Sequence, residues 1–286
     1  MNKEDTKKIV FPKPFLKWAG GKRQLLKELS KAMPKNYEDY FEPFIGGGAF
    51  FFSLQPKGGF ISDINPELIM TYQVIRSYPE ELIKELKKYR NTEKDFYKIR
   101  NQDRKPAFKK LSKRKKEDRL KKAARCIYLN KTAFNGLYRM NSKGEFNAPY
   151  GFYKNPKIVD AENIRACSKL LQQTEIRCCS FTAIKSRVKK GDFVYFDPPY
   201  VPLSTTSSFT KYFKDDFNAN MQVKLKELCD YLDKKGVQFM LSNSDSKLVR
   251  ELYAQDYNIK TVKAIRAINC KGDKRGKINE IIVTNY

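Results

Sequence analysis

Short apolar runs bounded by glycine, proline or asparagine alternate along this chain with stretches of helical spacing. The runs read as buried strands: Tyr40–Phe41, Gly59–Ile64, Glu175–Cys178, Phe193–Phe196, Val237–Asn243, and two near Ile259–Ile265 and Ile278–Thr284. Apolar residues three and four apart predict helices from Arg23 to about Lys31, from Pro66 to about Asn101 with a break at Pro79, and over Ala161–Leu171, Ala219–Lys235 and Ser246–Ala254. Pro66 suits a first helical turn, where a missing N–H costs nothing. Strand and helix alternating at both ends predict an α/β sheet. Between them, residues 85–160 lose the strand pattern and read as an insertion. The expected division is a charged tail over 1–10, one α/β domain from 11–84 and 161–286, and an inserted region over 85–160. A Ser/Thr-rich loop from Val201 to Phe217 is long for a connection.

Charge changes this picture more than composition does. A hydrophobic content of 41% with 13% aromatics excludes wholesale disorder, and the net charge of +26 points to a polyanionic partner, best a nucleic acid. A lysine-rich background contributes too, because the lysines are spread throughout. No apolar run approaches the roughly 20 residues of a membrane helix, and the charged N-terminus is not a secretory signal. Six cysteines without a Cys-x-x-Cys spacing read as reduced thiols in a cytoplasmic protein. Histidine is absent. That removes His-based triads and most zinc catalysis while leaving Cys and carboxylate sites open, and no metal site is expected.

The candidate chemistry centres on Asp197-Pro198-Pro199-Tyr200, which closes the Phe193–Phe196 strand. Two prolines end the ladder, so a carboxylate, a carbonyl and an aromatic ring gather at a strand's C-terminal end, where open α/β sheets bind ligands. Asp197 and the Pro198 carbonyl can accept both hydrogens of an exocyclic amino group while Tyr200 stacks on a flat base. A tight turn closing a buried strand would use the same residues, so the stretch alone leaves both readings open. Lys17-Trp18-Ala19-Gly20-Gly21-Lys22 offers a stacking face, close backbone approach and a positive charge, or simply a turn around a core tryptophan. Glu42-Pro43-Phe44-Ile45-Gly46-Gly47-Gly48 reads as strand end, glycine loop and helix start. It is no phosphate loop, since no Gly-Lys-Ser/Thr follows. Asp63 ends the next strand roughly 20 residues on, where an acid commonly takes ribose hydroxyls.

The insertion carries two further signals. Arg104, Lys105, Lys109, Lys110, Lys113–Lys116, Arg119, Lys121, Lys122 and Arg125 form a basic run, expected to begin as a loop and continue as a helix. It is either a phosphate-contacting surface or a solvated face. Residues 130–151, punctuated by Asn135-Gly136, Lys143-Gly144 and Pro149-Tyr150-Gly151, read as hairpins and loops. In them Arg139, Asn135 and Asn147 are suited to reading base edges, although an ordinary hairpin would look alike.

Taken in order, these stretches resemble the Dam-type (D12 class) adenine-N6 DNA methyltransferases, from about Phe15 to the C-terminus. The resemblance rests on residues 17–22, 42–48, Asp63, 134–151 and 197–200, with Leu241-Ser242-Asn243 similar to the family's next strand. It implies a Rossmann-like methyltransferase fold with an inserted helical and hairpin DNA-recognition region. S-adenosyl-L-methionine would be held by Trp18, Ala19, Gly20, Gly21, Lys22, Glu42, Pro43, Phe44, Gly46, Gly48, Asp63, Ile64, Phe181 and Asp197. An adenine of double-stranded DNA would be flipped onto Asp197, Pro198, Pro199 and Tyr200 as the catalytic set. Lys17, Leu137, Arg139, Pro149 and Tyr153 match positions that contact a GATC site, with Arg139 on a guanine, Leu137 and Pro149 on a thymine methyl and Lys17 on the first guanine. Cys178-Cys179-Ser180-Phe181 departs from the family, which often carries an acid near Cys179 beside the cofactor's adenine. Transfer to an amino nitrogen needs chiefly positioning, so the missing histidines are no objection. The competing readings are an N4-cytosine or RNA-adenine methyltransferase and a DNA-binding relative without catalysis. The family uses Asp rather than Ser at position 197 for adenine, and the hairpin segment favours duplex DNA. The resemblance also implies a bacterial or phage source and allows for a cognate restriction endonuclease.

Overall fold

Strand β1 (Tyr40–Glu42) is three residues long and has every side chain buried, because it lies at the centre of the sheet. Around it the computed structural model, which describes residues 10–200, 217–265 and 277–286, arranges β2 (Gly59–Asp63), β3 (Thr174–Cys178), β4 (Phe193–Phe196), β5 (Gln238–Ser244), β6 (Asn258–Ile265) and β7 (Lys277–Thr284). The charged tail (1–9) and the Ser/Thr-rich loop (201–216) lie outside the described residues. Strand order is β3-β2-β1-β4-β5-β7-β6. The first five are parallel, and β7 runs antiparallel between β5 and β6.

The alternation within each strand explains the two layers of cover. Tyr40, Phe193, Tyr195 and Met240 face one core, while Phe41, Val194, Phe196, Phe239 and Leu241 face the other. A sheet buried on both faces reads as continuous apolar runs, which is how these strands appear in the sequence. Helices α1 (Leu26–Ala32), α2 (Ala49–Leu54), α3 (Pro66–Ser77), α4 (Pro79–Leu86), α5 (Glu93–Arg100), α6 (Pro106–Lys109), α7 (Lys116–Thr132), α8 (Ala161–Leu171), α9 (Ala219–Lys234) and α10 (Lys247–Tyr253) complete the described residues. α3, α7 and α8 contribute to the first core, α9 and α10 to the second.

Several boundaries differ from expectation. The first helix begins at Leu26 rather than Arg23, since Arg23–Leu25 form a turn. The segment after Pro79 breaks again at residues 87–92, and Thr92 caps α5 by accepting from the Asp95 N–H. The basic run opens with short helical pieces, and non-helical residues 110–115 then lead into α7. Residues 101–104 make a 3₁₀ turn and Pro106 starts α6.

The chain passes from β1 through β2 to β3 on one side and from β4 to β5 on the other. The order therefore reverses between β1 and β4, and the crevice above their C-terminal ends is where a ligand can enter such a sheet. α7 packs across α3 and α4, with Leu120, Ala123, Ala124, Cys126 and Ile127 in the sheet's own core. Beyond it, Phe96, Ile99, Tyr128, Leu129, Ala133, Phe146, Ala148 and Tyr150 form a small separate core.

Candidate functional site

At the end of β4 the two prolines turn Asp197 and Tyr200 into the crevice. The Lys22 ammonium lies 2.7 Å from Asp197 Oδ1, and the same oxygen accepts from Ser242 Oγ at 3.2 Å. Ser242 Oγ is also 2.9 Å from the Tyr195 hydroxyl, so β5 braces the acid through a second buried side chain. Burial pushes the Asp197 carboxyl up, and the Lys22 charge pulls against it. Lys22 Nζ is 4.3 Å from the centroid of the Tyr200 ring, and the Tyr200 hydroxyl donates to Glu280 Oε2 on β7. The Pro199 carbonyl accepts from Gln222 Nε2 at 3.5 Å, and Gln222 accepts from Asn243. The turn is thus held by α9 and β5 as well as by its own prolines.

The end of β1 supplies a second acid. Glu42 is 2% exposed and accepts a hydrogen bond of 2.6 Å from the Tyr40 hydroxyl. Burial pushes it well above the ordinary carboxylate range, Tyr40 works against that, and the neighbouring Asp197 charge adds to it. Two carboxyls and one ammonium therefore share the mouth of the sheet. A cation bound there would favour the ionised form of both acids, so the pair can answer a cationic ligand.

The glycine loop follows directly. Gly46 has φ +45°, and a Cβ there would lie 2.8 Å from Trp18 Cδ1, so the indole rests on bare backbone. Tyr138 stacks on Trp18 at 5.1 Å between centroids. The loop is anchored from β2: Asp63 Oδ2 accepts from the Gly46 N–H at 3.2 Å, and Oδ1 from the Asn65 N–H at 2.9 Å. Burial raises the Asp63 carboxyl, and these backbone donors oppose it. Asn65 in turn caps α3, ahead of Pro66. Phe44 stacks on buried Phe181 at 5.2 Å, and Ile64 remains 59% exposed at the same edge. Ala19, Gly20 and Gly21 are exposed, and Pro43 and Gly48 are buried in the loop. Bare loop, acidic β2 end and acid pair line one edge and fit a nucleoside attached to a cationic group.

A second constellation forms where the insertion meets residues 16–18. The Lys17 N–H and carbonyl both bond the Asn130 side chain at 2.8 Å, and Asn130 also donates to the Gly136 carbonyl at 3.0 Å. Asn135 and Gly136 both adopt positive φ, and a Cβ on Gly136 would fall 2.5 Å from Lys17 Cδ. Lys17 Nζ sits 5.2 Å from the Tyr153 ring centroid. Lys17, Lys131, Tyr153, Lys154, Asn155, Pro156 and Lys157 line a hollow of about 360 Å³. Burial lowers the Lys131 ammonium pKa, Asp160 opposes it, and Lys17, Arg23 and Lys157 lower it further. Along the hairpin, Arg139 Nε donates to Asn147 Oδ1 at 2.7 Å, and a terminal nitrogen donates to the Asn147 carbonyl at 2.9 Å. Leu137 is half-buried and Pro149 exposed nearby.

Trp18, Lys22, Glu42, Gly46, Asp63, Asp197 and Tyr200 thus converge on one edge, while Lys17, Asn135, Leu137, Arg139, Asn147, Pro149 and Tyr153 lie on the insertion face. The basic run needs correction. Arg125 is 1% exposed and bonds Asp103 Oδ2 at 2.6 Å, so burial removes it from any phosphate surface. Arg104 binds Asp103 and the Phe146 carbonyl, Arg119 reaches Gln73, and Lys122 reaches the Leu111 carbonyl. Lys105, Lys110, Lys113, Arg114, Lys115 and Lys121 remain exposed. Reading the sequence missed Asn130, Ser242 and Glu280. The six-residue gap from Asn130 to Gly136 gave no signal, but the Leu241-Ser242-Asn243 run did place a hydroxyl on the strand beside Asp197.

A sequence profile of the D12 class N6 adenine-specific DNA methyltransferases matches residues 18–268. The chain is 48% identical over 278 residues to the type II methyltransferase M1.LlaDCHI of Lactococcus lactis subsp. cremoris, covering 96% of this chain and 95% of that protein. It is 47% identical over 290 residues to the type II methyltransferase M.MjaIII of Methanocaldococcus jannaschii, at 96% and 99% coverage. To the DNA adenine methylase of Escherichia coli K12 it is 33% identical over 272 residues, at 94% and 93%.

Proposed function

Because the chain belongs to the D12 class of N6 adenine-specific DNA methyltransferases, we propose that it methylates the adenine of GATC in duplex DNA, turned out of the helix onto Asp197 and Tyr200. The family's methyl donor is S-adenosyl-L-methionine, and the seven-stranded sheet has the order of an S-adenosylmethionine-dependent methyltransferase fold. When bound, that donor supplies an electrophilic methyl carbon on a cationic sulfur.

The observation that carries the base-pocket reading is the meeting of the Asp197 carboxylate and the Tyr200 ring beside the glycine loop. Asp197 and the Pro198 carbonyl are two acceptors for one amino group, and holding it by its hydrogens leaves the nitrogen lone pair pointed outward. Tyr200 fixes the base plane by stacking. The chain's part is alignment, which accounts for large rate gains in displacement reactions. Trp18, Lys22, Glu42, the Gly46–Gly48 loop, Asp63, Ile64 and Phe181 are assigned to the donor, with Glu42 and Asp197 offsetting its positive charge.

Residues 85–160 are assigned to DNA recognition. The basic hollow at Lys17, Lys131, Lys154 and Lys157 supports phosphate contact, and Arg139 on its hairpin supports guanine reading. The two type II relatives favour a restriction endonuclease of the same specificity as partner. The test is methylation of duplexes carrying GATC and each single substitution, read by nucleoside mass spectrometry. N6-methyladenine from GATC alone is expected, and preference for another sequence overturns the assignment. Arg139→Ala should cost about 1–3 kcal/mol of discrimination at one guanine only. Equal slowing on every duplex would make Arg139 a phosphate contact.

A further inference from the structure

We propose that the Lys22 ammonium is a stand-in for the target amino group, occupying the base pocket until a base displaces it. The inference rests on the reading of Asp197 and Tyr200 as that pocket. Lys22 is 5% exposed, although it comes from a glycine turn ahead of α1 rather than from the sheet. Its nitrogen has three donors. One reaches the Gly20 carbonyl at 2.8 Å and another Asp197 Oδ1 at 2.7 Å, and the nitrogen lies 4.3 Å from the Tyr200 ring centroid. An exocyclic amino group arriving above Tyr200 needs the same carboxylate and the same ring face. Asp197 Oδ2 is open to the amino group, but the base and the ammonium cannot both lie over the same face of the Tyr200 ring.

The pair is arranged for release. Asp197 Oδ1 takes both Lys22 and Ser242, and Oδ2 has no hydrogen-bond partner among the described residues. The lysine stem is long and flexible, and its ammonium is a single compact charge that can swing away without dismantling a network. While seated, it keeps a desolvated carboxylate compensated, which is otherwise costly. It also sets a threshold for entry. A base must offer both a donor for Asp197 and a face for Tyr200 to offset the loss of the ion pair and of the cation–ring contact.

The experiment compares binding of two duplexes, one with adenine and one with purine at the target position, with S-adenosylhomocysteine held saturating for each protein, because Lys22 is also assigned to the donor. In the wild type the amino group exchanges for an ammonium at the same carboxylate and ring face, so losing it should weaken binding little. In Lys22→Met it meets a free carboxylate, and the purine-to-adenine Kd ratio should rise about tenfold over wild type. An unchanged or smaller ratio overturns the proposal. A second measurement needs no variant. Acetylation of Lys22, followed by peptide mass spectrometry, should be suppressed in the free protein and increase when the adenine duplex binds, but not when the purine duplex does. Equal labelling in all three states also overturns it. If the wild type forms no N6-methyladenine in DNA, the base-pocket reading itself fails. If it does and the ratio stays flat, only the stand-in fails.

Discussion

Two aspartates, one buried and one half-buried, each beside a cation, sit in different parts of this molecule and are built differently. In the insertion, Asp103 meets Arg125 at 2.6 Å and Arg104 at 2.8 Å and accepts the Phe146 N–H at 2.7 Å. Arg125 also donates to the Ile99 and Arg100 carbonyls. Both carboxylate oxygens are taken, and the network ties the 3₁₀ turn, α7 and the hairpin together. At the mouth of the sheet, Asp197 has two donors on one oxygen, keeps 21% of its side chain exposed, and is pushed up by burial. The saturated pair holds structure. The unsaturated one keeps capacity for a ligand. Opposite charge alone does not separate them. The count of remaining acceptor positions does.

The largest effect expected from this contrast is on folding. Asp103→Ala leaves buried Arg125 with only Glu67, 3.6 Å away, as a counter-charge, and should cost about 3 kcal/mol of stability, read by denaturant unfolding. Loss of less than about 1 kcal/mol would remove the pair from a structural role. Asp197→Ala should reverse the pattern, with turnover falling about 10²-fold or more, by analogy with loss of a positioned transition-state partner, while unfolding changes little. A variant that keeps near-normal turnover breaks the contrast from the other side.

A smaller effect should follow pH. Burial raises Glu42, so the folded state holds its proton more tightly than the unfolded chain. Stability from this group is then present at low pH and lost as pH rises from the ordinary carboxylate range through the raised value, by at most about 1.4 kcal/mol per pH unit. Affinity for the cationic donor should move oppositely, rising with pH as the acid ionises. Glu42→Gln should flatten both trends in thermal melts and donor titrations. If the slopes persist, another group titrates there.

The smallest effect sharpens the division of the basic residues. Replacing Lys131, Lys154 and Lys157 by Ser should reduce the slope of log K against log salt by about 0.9 for every phosphate that a lysine no longer neutralises. The same number of changes at Lys113, Arg114 and Lys115 provides the comparison. A larger change there would return the phosphate-binding role to the 104–125 run.

Much of this protein follows from its sequence because the physics is local. Apolar runs between glycines and prolines become strands, as Phe193–Phe196 does between Gly191-Asp192 and Asp197-Pro198. Helix α8 occupies Ala161–Leu171, the span its spacing predicts. Motif order along the chain also suffices to place Trp18, the glycine loop, Asp63 and Asp197 in one family. Tertiary structure decided what depends on long separations. Arg125 looks like its neighbours in a basic run, and only the packing of α7 beside Asp103 makes it a core residue. Asn130 is one asparagine among several until the fold brings Lys17 to it across 113 positions. Nor does any spacing tell that Lys22 reaches Asp197 and the Tyr200 face at once. Burial and pairing are properties of the assembled chain, so a charged residue's role there is set by its partners rather than by its sequence neighbours.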